Sequence, residues 1–137
     1  MELVVGASVT LAWAFEDERT GLAMSVLDAL DGSEAVAASI WPLEIVNGLV
    51  VAERRGRITS QDASRFASLL LQLPIVVDPV ERRRPFETTR QLARDHQLSA
   101  YDASYLELAI RLGVPLATLD HRLADAAGQA GVSLFAS

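Results

Sequence analysis

Three carboxylates, Glu44, Asp102 and Asp120, stand in local settings that suit chemistry. Asp102 lies in the run Leu98-Ser99-Ala100-Tyr101-Asp102-Ala103, where Ser99 reads as a helix N-cap and Asp102, three residues on, as the acid of a capping box. The partial positive charge of a helix start favours the ionised carboxylate, the form that binds a metal ion or activates water. Taken alone, this segment is read as a plain cap. Glu44, however, projects from the first turn of a helix opened by Pro42, and Asp120 ends an apolar strand and can cap the helix after it. Gly6 occupies the corresponding place after the first strand.

The elements that must position these groups follow from apolar spacing. Leu3-Val4-Val5 predicts a buried strand that turns at Gly6 into a short helix through Trp13. Glu16-Asp17-Glu18 predicts a solvated acidic start to a helix over residues 18–30, and residues 35–38 predict a small-residue strand. Leu43, Val46, Leu49 and Val50 form the apolar face of a helix running from Pro42 to about residue 54. Thr59-Ser60-Gln61-Asp62 starts the next, which carries Phe66, Leu69, Leu70 and Leu73 and makes a helical hairpin with the one before. Residues 74–79 predict a strand bounded by prolines, and residues 80–96 a helix with Arg82, Arg83 and Arg84 near its start. That triplet is read as solvated charge or as an RNA phosphate-contacting patch. The helix containing Asp102 presents Leu98, Tyr101, Tyr105, Leu108 and Leu112 as its stripe, with Tyr101 and Trp13 read as core. Gly113 stops it, residues 114–119 give a buried strand, a short helix spans about residues 122–127, and residues 132–135 supply a last small strand.

Strands alternating with helices over short connections predict an α/β domain spanning residues 1–137, a three-layer α/β/α arrangement with a mostly parallel sheet of about four to five strands. In such sheets ligands bind beyond the C-terminal strand ends, where Gly6, Glu44, Asp102 and Asp120 would meet. Like charges brought together raise one another's pKa unless a cation neutralises them, so the arrangement suits a bound divalent ion. Magnesium or manganese and phosphodiester hydrolysis are the natural chemistry.

Composition narrows the alternatives. The chain has 137 residues, half of them hydrophobic, and no cysteine, which excludes a disulfide framework, a thiolate metal site and a cysteine nucleophile. Its twelve basic residues are all arginine, against eighteen acids, for a net charge of −6. That balance argues against a passive nucleic-acid coat but not against a nuclease whose acids gather in one pocket. No apolar run approaches the roughly 20 residues of a membrane span, and a cytoplasmic protein is expected. His96 and His121 are read as ordinary surface or core groups.

The motifs Val4-Val5-Gly6-Ala7-Ser8-Val9, Trp41-Pro42-Leu43-Glu44-Ile45-Val46-Asn47, Leu98-Ser99-Ala100-Tyr101-Asp102-Ala103 and Leu116-Ala117-Thr118-Leu119-Asp120, in this order, resemble the PIN-domain ribonucleases, specifically the VapC-type toxins of bacterial toxin–antitoxin pairs. The resemblance spans nearly the whole chain. It places the family's four acidic positions on Gly6, Glu44, Asp102 and Asp120, so the first is a glycine where the family carries a metal-binding aspartate. Glycine has no side chain with which to hold a cation, and the substitution implies an inactivated site, whether engineered, selected or natural. The resemblance also places Ser8 and Thr118 at hydroxyl positions that orient acidic ligands; Asn47, one turn after Glu44, is read as a substrate or metal-water contact or as an ordinary cap. It implies a magnesium- or manganese-dependent endoribonuclease acting on RNA, tRNA among the candidates. It further implies a homodimer and a cognate VapB-like antitoxin whose tail fills the acidic groove, with an arginine matching paired carboxylates. Two other readings of the same residues are a non-catalytic module that binds RNA or antitoxin, and a flap-type DNA nuclease.

Overall fold

The computed structural model describes residues 2–136. Strand β1 (Leu3–Val5) leads into helix α1 (Ala7–Ala14), a 3-10 turn (Glu16–Glu18) and α2 (Gly21–Ala29). Strand β2 (Ala35–Ala37) precedes the hairpin of α3 (Trp41–Arg54) and α4 (Ser60–Gln72), and β3 (Ile75–Val77) follows it. A second 3-10 turn (Arg84–Phe86), α5 (Thr88–His96), α6 (Ala100–Leu112), β4 (Leu116–Ala117) and α7 (His121–Gln129) complete the order.

The strands form one sheet in the order β3-β2-β1-β4, and every pairing is parallel. Its register runs Leu3 to Ala35, Val4 to Leu116 and Ala35 to Ile75. Neighbouring residues of a strand point to opposite faces, so a strand buried at every position is covered on both. That holds for β1, β2 and β4, and it establishes the helix–sheet–helix layering the sequence implies. Strand β3 lies at the edge, with Val76 and Val77 exposed. Among the described residues the sheet has four strands; the expected last strand reduces to a single parallel bridge between Leu116 and Leu134. No helix of the described residues is long and apolar enough to cross a membrane.

Several elements begin elsewhere than the apolar spacing predicts. The expected helix start at residue 18 moves to Gly21, because the Thr20 side chain accepts the Ala23 N–H as a cap. The acids expected to be solvated do lie at the surface, where Arg57 pairs with Asp17 at 3.1 Å and Glu18 at 2.9 Å and stacks over the Phe15 ring. The helix expected from residue 80 starts at Thr88. Glu81 accepts the backbone N–H groups of Arg83 and Arg84, and Pro85 lacks an N–H of its own, so this stretch closes as a 3-10 turn.

Helix α3 is rotated from its predicted face. Trp41, Ile45, Leu49 and Ala52 are buried, while Leu43 is 68% exposed and Val46 lies outside. The Trp41 indole N–H donates to Thr10 Oγ1 at 3.0 Å, and this buried bond fixes the rotation. On α6, Tyr101 and Leu112 leave the expected stripe for the surface, while residues 105–109 are all buried, so the middle of that helix is enclosed nearly all round. Trp13 is core as expected, its indole donating to the Ala23 carbonyl at 2.8 Å.

Candidate active site

Four separate stretches meet beyond the C-terminal ends of β1, β2 and β4. They line one pocket of about 330 Å³, whose walls include Gly6, Ser8, Glu44, Asn47, Asp102, Tyr105, Thr118 and Asp120. Each of these residues except Tyr105 is a position singled out from sequence. Gly48 lets α3 approach α1: a Cβ there would lie 2.7 Å from the Leu11 side chain.

Gly6 caps α1 with φ −74° and ψ 155°, a conformation any residue adopts. Its backbone therefore does not call for glycine. A Cβ at this position would stand 3.0 Å from the Ala117 carbonyl oxygen, so an aspartate requires β1 and β4 to give by a few tenths of an ångström. Beside it, Ser8 Oγ accepts the Leu119 N–H at 2.9 Å and shares a 3.3 Å hydrogen bond with Thr118 Oγ1. Thr118 Oγ1 in turn accepts the Asp120 N–H at 3.1 Å. These hydroxyls tie the start of α1 to the loop that carries Asp120. Asp120 caps α7, its Oδ1 accepting the Arg122 N–H at 2.9 Å.

Asp102 sits in the first turn of α6, where Ser99 Oγ accepts its backbone N–H at 3.1 Å. Burial raises its carboxyl pKa first and the nearby charge of Asp120 raises it further, against the lowering effects of the Ser99 hydrogen bond and of Arg122. Glu44 is raised chiefly by burial and also by the charge of Asp102; a hydrogen bond from Tyr105 opposes both. The acids thus sense one another in a chain, Glu44 to Asp102 to Asp120.

Tyr105 is the residue that apolar spacing concealed. Its ring is buried, and its hydroxyl donates to Glu44 Oε1 at 2.6 Å across the gap between α6 and α3. The signal was a tyrosine, not a phenylalanine, three residues after Asp102 on one helix face.

The donor set suits a hard divalent cation in kind, since three carboxylates supply anionic oxygen. It falls short in number at Gly6, and among the described residues no three acidic or imidazole side chains close on one point as a finished cage. The arginine triplet is not brought to this pocket: Arg84 reaches Glu107 at 3.7 Å, Arg83 pairs with Glu87 at 3.2 Å, and Arg82 lines a separate surface depression with Glu81 and Phe86. His96 Nδ1 meets Gln129 Oε1 at 3.3 Å, away from the acids.

The PIN domain family model matches residues 3–129. Over 125 residues the chain is 29% identical to Ribonuclease VapC3 of Pyrobaculum aerophilum, an alignment covering 91% of this chain and 94% of that protein. Among solved structures it is similar to PAE2754 from Pyrobaculum aerophilum, with a TM-score of 0.71 and 23% identity over 92% of this chain and 84% of that one. It is also similar to FitAcB from Neisseria gonorrhoeae, with a TM-score of 0.67 and 16% identity over 98% and 96% of the two chains. The family match over almost the full length and a parallel sheet whose strand ends gather the acids agree: the chain belongs to the PIN domain family.

Proposed function

We propose that this protein is the toxin half of a toxin–antitoxin pair, a VapC-type endoribonuclease whose hydrolysis of RNA is lost or strongly reduced because Gly6 replaces an acidic ligand. One observation carries the reading: Glu44, Asp102 and Asp120, from three separate elements, line a single pocket with Gly6 at its wall. The name of the VapC3 relative supports the ribonuclease class.

Glu44, Asp102 and Asp120 would hold magnesium or manganese, which when bound supplies an activated water and neutralises charge on the phosphate. The protein's own contribution is positional. Burial and neighbouring acids disfavour the ionised forms of Glu44 and Asp102, a cost that a bound cation would relieve. Ser8 and Thr118 hold the Asp120 loop against α1, and Asn47 offers an amide to substrate on the same wall. The same unpaired carboxylates suit an arginine fork from an antitoxin tail. A homodimer and an RNA substrate, tRNA among the candidates, complete the proposal, with Arg82 and Arg83 as RNA contacts outside the pocket.

A second reading, a non-catalytic module that keeps the RNA- or antitoxin-binding surface, is favoured by the missing donor at Gly6. The two separate in one experiment: RNA cleavage by this chain beside Gly6→Asp, each with magnesium, manganese or chelator. The expected result is metal-dependent cleavage by the Gly6→Asp protein at least a hundredfold above the parent, abolished by chelator. No cleavage by either protein supports the module. Preferential cutting of flapped DNA overturns the ribonuclease reading.

A further inference from the structure

Glu44 stands on α3 and Asp102 on α6, so the distance between two of the three acids depends on how those helices are held apart. Across that gap, inside the pocket, runs the 2.6 Å hydrogen bond from the Tyr105 hydroxyl to Glu44 Oε1. The phenol is 2% exposed and its ring is packed in the core, so it has no freedom to follow a wandering carboxylate. Glu44, by contrast, is a flexible side chain on a partly exposed helix turn, and ordering it costs rotamer entropy.

We propose that Tyr105 is a positioning residue that fixes Glu44 by occupying Oε1, leaving Oε2 as the oxygen presented to a cation. The inference rests on the reading of this pocket as a divalent-cation site. Tyr105 touches neither substrate nor ion in this role; it acts through Glu44. The phenol has a single O–H, and at 2.6 Å that proton is directed at Glu44 Oε1. A phenylalanine would fill the same core space while releasing Glu44 to other rotamers.

The test is Mn2+ binding, followed by electron paramagnetic resonance, in the Gly6→Asp protein with and without Tyr105→Phe, each in the Glu44 and Glu44→Gln backgrounds. Groups that orient a metal-binding side chain typically change affinity by about 10- to 100-fold, so Tyr105→Phe is expected to weaken Mn2+ binding about tenfold or more. In the Glu44→Gln background the same change is expected to shift affinity less than about twofold, because the route through Glu44 is gone. Unchanged affinity on Tyr105→Phe overturns the inference, and so does equal weakening in both backgrounds, which would mark a general packing effect. Absence of Mn2+ binding by Gly6→Asp itself overturns the cation-site reading and this inference with it, an outcome distinct from either of the others.

Discussion

Helix α6 carries two shielded carboxylates in opposite surroundings. Glu107, in its middle, is buried and fully answered: Arg111 donates to it through Nε at 2.9 Å and Nη2 at 3.0 Å, and Arg84 stands at 3.7 Å. Arg111 also pairs with Asp78 at 2.8 Å, tying the end of β3 to the helix. Asp102, in the first turn, lines a pocket with Glu44 and Asp120; burial and the charge of Asp120 raise its carboxyl, and the Ser99 hydrogen bond and Arg122 offset them only in part. The structural acid is held in direct ion pairs with arginine, whereas among the described residues the site acid makes none. A fold that pairs one so completely leaves the other unpaired for a ligand to complete.

The comparison is broken most severely at its paired end. Arg111→Ala leaves Glu107 with one distant arginine and Asp78 with none, and breaking a mostly buried pair of this kind should cost about 2–3 kcal/mol in urea unfolding. A loss below about 0.5 kcal/mol would place this network among ordinary surface pairs.

The unpaired end should respond with the opposite sign. Asp102→Asn removes a charge that burial and the neighbouring charge of Asp120 disfavour, so the metal-free protein should gain a little stability at neutral pH. Because the folded-state pKa of Asp102 is raised, the folded protein binds the proton more readily than the unfolded chain. The parent's penalty is therefore present above that raised value and is relieved as pH falls through it. The stability difference between variant and parent, followed by thermal melts across that range, should shrink as acid is added. A variant less stable than the parent at neutral pH would show that the Ser99 and Arg122 interactions outweigh burial and the charge of Asp120.

The scaffold was legible where one local signal dominates. Gly113 ends α6 in the left-handed region at φ +66°, Thr59 and Asp62 form both bonds of a capping box, and the valines of β1 can only be a buried strand. The pocket was legible because its acids sit just past strands or in first helix turns, which a parallel sheet brings to one edge. What the sequence concealed depends on long-range partners. The rotation of α3 is fixed by a hydrogen bond between Trp41 and Thr10, thirty-one residues apart. The Glu81 caps displaced the start of α5, and Arg57, some forty residues on, supplies surface ion pairs to Asp17 and Glu18 that local patterning does not show. Tyr105 read as an apolar stripe residue because its ring is one; only the position of Glu44 across the gap gives its hydroxyl a purpose.

The proposed cation site joins Glu44, Asp102 and Asp120 to a fourth position at Gly6. Its most direct test is a crystal of the Gly6→Asp protein soaked in manganese and measured for anomalous scattering. A peak is expected in this pocket, within coordination distance of the aspartate introduced at position 6 and of the carboxylates of Asp102 and Asp120, with Glu44 on the same ion or on a water bound to it. A pocket without a peak at saturating manganese, with ions bound elsewhere on the surface, would contradict it.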